Sequence, residues 1–223
     1  MDKLINLFFA PKKVFEVLKE KPEWVTPLII VLVVLAIATA LTLIFTKDLV
    51  LVKQEEIMRE RGMTDEQIDR ARRFMTGPGP CIFGTMSAVI VFVVIFLIFA
   101  ALINLLIPLF DGTASFKHVF SVICYSSLVK VPASILRLIL VVITGSPYIS
   151  TSLSLLVPGM AKEAFSYRVL SGFDFFMVWE MVLVSLGISI TTQTKKEKAY
   201  LIVFLIWIIS IFVGASLGLV GRR

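Results

Sequence analysis

Charge is absent from four long stretches of this chain: 24–46, 74–110, 138–161 and 199–221. Two further apolar stretches are interrupted by charge. One is 118–144, with Lys130 and Arg137; the other is 173–191, with Asp174 and Glu180. About 20 apolar residues in a helix cross a hydrocarbon layer ~30 Å thick, so these stretches are span candidates. Breakers trim them. Thr76-Gly77-Pro78-Gly79-Pro80 delays the second span, Asp111-Gly112 ends it, and Gly145-Ser146-Pro147 ends the third. The pattern predicts transmembrane helices over 25–46, 82–109, 116–144, 173–192 and 199–219. The segment 149–170 is interrupted by Pro158-Gly159 and is expected to be re-entrant or interfacial, with a short surface helix over 161–170.

The polar segments carry their own periodicity. Residues 11–20 form an amphipathic helix with Pro11 at its first position, where a missing N–H costs nothing. At ~100° per residue, Val14, Phe15, Val17 and Leu18 share one arc. The lysines and glutamates share the other. Such a helix lies in the membrane interface or packs on the protein's own helices; Val14, Phe15, Val17 and Leu18 are taken as the membrane-facing side. The segment 47–73 carries seven basic and seven acidic residues. Gly62 is a helix stop, and Thr64-Asp65-Glu66-Gln67 is a capping-box pattern. This predicts a charged helical hairpin over 47–76. The expected fold is an all-α polytopic membrane helix bundle. It is a single membrane domain over 1–223, with an interfacial N-terminal helix within 1–23, five transmembrane helices and the hairpin between the first two.

Composition agrees: 58% of the residues are hydrophobic and 17% charged, against about 45–50% and 25% in soluble domains. The net charge of +6 lies between the apolar runs, so it points to loops and lipid headgroups, not to nucleic acid. Counting Lys and Arg on alternate sides does not decide the orientation. Cys81 and Cys124 lie in or beside apolar runs, and the chain has one histidine. No metal-ligating set, cofactor site or catalytic signature is expected. The pairs Ser126 or Ser127 with Lys130 are too weak a constellation for an enzyme. The apolar patch near the N-terminus has no cleavage pattern and is not expected to be a signal peptide.

Function must then rest on a few polar groups within spans. A charge at mid-membrane costs ~2.5–3.5 kcal/mol or more unless paired, snorkelled or hydrated. Lys130, Arg137 and Glu180 are the candidates. Lys130 and Arg137 share one helix face, and Glu180, on the next span, can pair with either. They form a structural ion pair or line a polar cavity, or Arg137 snorkels from near its helix end. Asp174 can reach water from the span boundary. Asn104 is expected to hydrogen-bond between helices. Asp111-Gly112 reads as a turn, and His118 as a pH-sensitive candidate. Ser210, Gly214 and Gly218 recur every four residues, a helix-packing face within the chain or between two copies.

Three stretches carry a family likeness. FFAPKKVFEVLKEKPEWVTPLIIV at 8–31 joins the amphipathic helix to Lys21-Pro22-Glu23-Trp24 and to Pro27 at the opening of a span. GTASFKHVFSVICYSSLVKVP at 112–132 sets a glycine after the second span, then Ser115-Phe116, Tyr125-Ser126 and Pro132. Gly187 and KAYLIVFLIWIIS at 198–210 complete it. Together they resemble the Yip family of Ypt/Rab-interacting membrane proteins, in its prokaryotic form. The resemblance implies five spans, a cytoplasmic N-terminus and residence in a prokaryotic plasma membrane. Eukaryotic members act in vesicle traffic. Their Asp-Leu-Tyr-Gly-Pro signature has no match here, and their long N-terminal region is not expected, so a small GTPase partner is not carried over. The resulting expectation is a non-enzymatic scaffold binding the bilayer and a membrane-protein partner or a second copy. The alternative is a small transporter or channel using Lys130, Arg137 and Glu180.

Overall fold

The computed structural model describes residues 2–113, 115–146, 149, 151–162 and 164–220. Among them the chain is helical, with one isolated bridge between Ser152 and Asp174. The helices are α1 (Asp2–Phe9), α2 (Pro11–Glu20), α3 (Val25–Phe45), α4 (Lys47–Glu60), α5 (Asp65–Thr76), α6 (Gly79–Leu106), α7 (Phe116–Ser126), α8 (Lys130–Thr144), α9 (Phe165–Ser171), α10 (Phe175–Thr191) and α11 (Lys196–Val220). Four helical stretches are long and apolar enough to cross a membrane: Val25–Phe45, Gly79–Phe110, Phe116–Thr144 and Lys196–Leu217. The fifth apolar helix, α10, has 17 residues. At 1.5 Å per residue it reaches about 25 Å, the lower limit for crossing. The architecture is an all-α polytopic membrane helix bundle.

Prolines shape two of the long stretches. Pro108 has no N–H to continue the ladder of α6, and a 3₁₀ turn over Ile107–Phe110 follows. Pro132 leaves the carbonyl of Leu128 without its helical donor, and the chain tightens into a 3₁₀ turn over Ser127–Val129 between α7 and α8. Gly145, at φ 65°, ends α8 in the left-handed conformation that glycine adopts at no steric cost. Pro147 and Ser150, at the edge of the expected re-entrant segment, lie outside the described residues. That segment contains a 3₁₀ turn over Leu153–Leu156 and α9.

The chain forms two compact units: Met1–Val31, Val94–Pro132 and Ser150–Arg223 make one, and Leu32–Val93 and Ala133–Ile149 the other. At the centre of the first unit is α10, packed by α2, α7 and α11. The second unit holds the charged hairpin of α4 and α5. Gly62, at φ 72°, turns the chain, and Ile68 is buried beneath α5. Arg72–Glu55 (3.2 Å) and Arg59–Asp65 (3.6 Å) link the arms, but such exposed pairs contribute little. The start of α5 is set by its cap. Thr64 Oγ1 accepts from the Gln67 backbone N–H, and Gln67 Oε1 accepts from that of Thr64. Thr64→Ala is expected to cost about 1 kcal/mol. Hydrogen exchange should show it as faster exchange confined to the first turn of α5.

Candidate functional site

A glutamate buried in the central helix of the first unit is the feature that needs a physical account. Glu180 is 2% exposed, among Met181, Leu183 and Val184 on α10. An ionised carboxylate removed from water costs several kcal/mol unless a cation meets it in good geometry. Lys130 supplies that cation: its ammonium donates to Glu180 Oε2. The start of α8 aims Lys130 inward. The four-carbon stem is partly exposed, while Nζ lies 3.5 Å from Met177 Sδ and 5.8 Å from the centroid of the Phe96 ring. Thioether and aromatic face both receive a cation favourably while excluding water. The site is an ion pair in an apolar, polarisable wall. Neither Lys130 nor Glu180 lines the cavity beside Leu43, Lys47 and Met75 or the one beside Lys162, Arg168, Ser210 and Gly214.

The other sequence candidates separate from this pair. Arg137 is exposed on α8, and Glu180 is paired by Lys130. Asp174 is the N-cap of α10. It accepts from the Phe176 N–H at 2.8 Å and from the Thr151 hydroxyl, so it anchors a loop to a helix start. Asn104 Oδ1 and Ser126 Oγ are buried without a hydrogen-bond partner among the described residues, so the bond expected between helices is not made through that oxygen. His118 is half-buried, and its Nε2–H donates to the Lys19 carbonyl at 3.1 Å, tying α7 to α2.

The apolar face of α2 is turned into the protein at three of its four positions. Val14, Phe15 and Leu18 are buried, and Val17 is exposed. The reason lies on α10. A Cβ on Gly187 would stand 2.5 Å from Val122 Cγ1 and 2.8 Å from Phe15 Cε1, so the missing side chain makes room for the Phe15 ring. Of the expected packing face Ser210, Gly214 and Gly218, the structure shows open space at one position: among the described residues no atom of the chain lies within 4 Å of the place a Cβ would take on Gly214. The surroundings of Gly218 lie outside what the structure describes. The signal that could have located Gly187 is its position: a glycine in mid-helix weakens the helix unless something packs closely on it.

Two exposed pairs sit at the ends of helices. Lys198 Nζ bonds Asp111 Oδ2 at 2.9 Å, where Asp111 adopts φ 63° to close the turn that precedes α7. Beside it, Thr113 N–H donates to the Thr192 carbonyl, and Thr192 and Thr194 are buried. Lys3 Nζ bonds Glu23 Oε2 at 3.0 Å, holding α1 to the segment before α3. In each case the hydrogen bond from the lysine, and then its charge, holds the carboxyl below its ordinary range. A depressed carboxylate contributes its stabilisation above the unfolded-state value near 4 and loses it as pH falls through the folded one. Carbon-detected NMR should find the Asp111 midpoint below about 3.9, and Lys198→Gln should move it upward. An unchanged midpoint in that variant would remove Lys198 as the cause.

Comparison with known proteins places this architecture. The chain is similar to Membrane protein YknW of Bacillus subtilis (strain 168), at 24% identity over 221 residues, which cover 98% of this chain and 90% of that protein. No solved structure matches the chain. The Yip1 domain family matches residues 5–217, nearly the whole length. The chain, an integral membrane protein of apolar helices, belongs to the Yip1 family.

Proposed function

We propose that this protein is a non-enzymatic scaffold of a bacterial plasma membrane, with a cytoplasmic N-terminus, that organises a membrane-protein partner through the charged hairpin. The observation that carries the reading is the Lys130–Glu180 pair. The buried carboxylate and its lysine satisfy each other within packed helices, with Arg137 exposed and apart, which suits a fixed architecture better than a site that must exchange ions. The hairpin, with both signs of charge on exposed faces, is the surface left to engage a partner. In this orientation it lies on the far side of the membrane, out of reach of a cytosolic GTPase.

Two measurements test this. Reconstituted wild type and Glu180→Gln are compared for proton and ion flux. No flux above empty liposomes is expected from either, and a flux that depends on Glu180 would replace the scaffold with the transport reading. Crosslinking in intact cells should recover one defined membrane protein with wild type, and lose it when Glu66 and Arg70 are both changed to glutamine. Repeated recovery of none would end the scaffold reading. Reporter fusions at 46 and 111 test the orientation.

A further inference from the structure

The register of α2 against its neighbours sets its direction. The Lys19 carbonyl meets His118, and Phe15, one turn earlier in the chain, stands beside Val122 and Gly187. Residue numbers fall along α2 as they rise along α7. The two helices run antiparallel, so α2 follows the spans instead of lying across them. The preceding helix agrees. On α1 the Phe8 ring meets the Trp179 ring edge-on at 5.6 Å between centroids, and Trp179 lies about two turns beyond Gly187 on α10. The turn between α1 and α2, at Ala10, is therefore the deep end of a helical hairpin.

Its depth follows from the lipid-facing surface. The Thr113 N–H bonds the Thr192 carbonyl and Lys198 bonds Asp111, in one polar layer. Exposed leucines reach up to that layer: Leu105 and Leu109 at the end of the second span, and Leu201 on α11. Hydrocarbon therefore begins there. At 1.5 Å per residue, Thr192 to Gly187 along α10 is about 7.5 Å, and Phe15 to Lys12 adds about 4.5 Å. Lys12 thus lies about 12 Å below the polar layer, close to the middle of a hydrocarbon core ~30 Å thick. At that depth the two helices differ. Ile5 and Phe9, one turn apart on α1, are exposed and apolar. The exposed side of α2 carries Lys12, Lys13, Glu16, Lys19 and Glu20, and none of these side chains makes an ion pair or hydrogen bond among the described residues. Charges persist at such depth where water and headgroups descend to meet them. Ammonium and carboxylate alternating along one face match a headgroup that carries a phosphate followed by an ammonium. We propose that α2 lines a polar furrow which phospholipid headgroups enter, their phosphates on Lys12, Lys13 and Lys19 and their ammonium groups on Glu16 and Glu20. The furrow is independent of the scaffold reading and of which leaflet is the cytoplasmic one.

The test is depth-dependent quenching of the full chain in phosphatidylcholine vesicles. A fluorescent amino acid takes the place of Phe9, Lys13 or Leu105, exposed positions at which it displaces no packed side chain. The quencher is phosphatidylcholine with a nitroxide either on its headgroup or at mid-chain. At 13 the headgroup nitroxide should quench more strongly, and at 9 and 105 the mid-chain one. Stronger mid-chain quenching at 13 would place the lysines in hydrocarbon and overturns the proposal. Headgroup quenching that dominates at 9 as well would lay the hairpin on the membrane surface, and overturns it. So does protection of 13 from both quenchers, which would give this face to a second copy or another protein. With the probe at 13, Lys12→Gln combined with Lys19→Gln should lose most of the headgroup quenching. Arg61→Gln, on the charged hairpin of the second unit, should leave it unchanged. Full headgroup quenching in the double variant would show that the lysines do not hold the phosphates, and overturns the proposal too.

Discussion

Lys130→Met is expected to destabilise the protein by about 3–5 kcal/mol, read as a large fall in Tm by tryptophan fluorescence in detergent. The substitution leaves Glu180 enclosed on α10 without its cation. Glu180→Gln should cost less. The Lys130 stem is 23% exposed, so the freed ammonium can turn toward a more polar surrounding, whereas the carboxylate has no such exit. The order of the two single variants is therefore part of the prediction. Lys130→Met combined with Glu180→Leu should recover most of the loss, because apolar groups of similar volume replace a buried pair at little cost. If the double variant is as unstable as the sum of the singles, the pair is not the coupled unit described.

Phe15→Ala is expected to cost about 3–5 kcal/mol, through lost burial and the cavity left between α2, α7 and α10. Gly187→Ala in the wild-type background should cost about 1–3 kcal/mol by overpacking, since the new methyl meets Val122 and the Phe15 ring at 2.5–2.9 Å. In the Phe15→Ala background the sign should change, with the methyl filling part of the vacated space. Limited proteolysis after Lys12 and Lys13 offers a second reading, because α2 held only by Val14 and Leu18 should open more often. Equal cleavage in wild type and Phe15→Ala would show that this ring is not what seats the N-terminal segment.

These two sites differ in how far they could be read from the sequence. Lys130 and Glu180 stand out because charge in an apolar run is costly, and that cost is a property of residue type. Pairing was expected too, but between three candidates, and only the packing selected Lys130. The direction of the α2 face was open for a different reason. An amphipathic stripe records that one side avoids water, and lipid and protein satisfy that equally. Phe15 chose protein because Gly187, 172 residues away, leaves a notch. The small-residue side of α11 is the reverse case. Small residues permit close approach without requiring it, and there the space stayed open and gathered basic neighbours.

The sequence by itself determined the membrane location, the helical class, the capped and charged hairpin and the breaks at Pro108 and Gly145. Each follows from terms that act locally: transfer of apolar area into hydrocarbon, proline's missing N–H, glycine's freedom at positive φ, and a cap that spans three residues. Family membership was legible in the same local motifs at 8–31, 112–132 and 198–210. Only the tertiary structure decided which cation meets Glu180, where the N-terminal helix rests and that Lys162 and Arg168 face Ser210 across a cavity. Those outcomes depend on contacts between residues tens to hundreds of positions apart, and no local pattern encodes which of several compatible surfaces will meet.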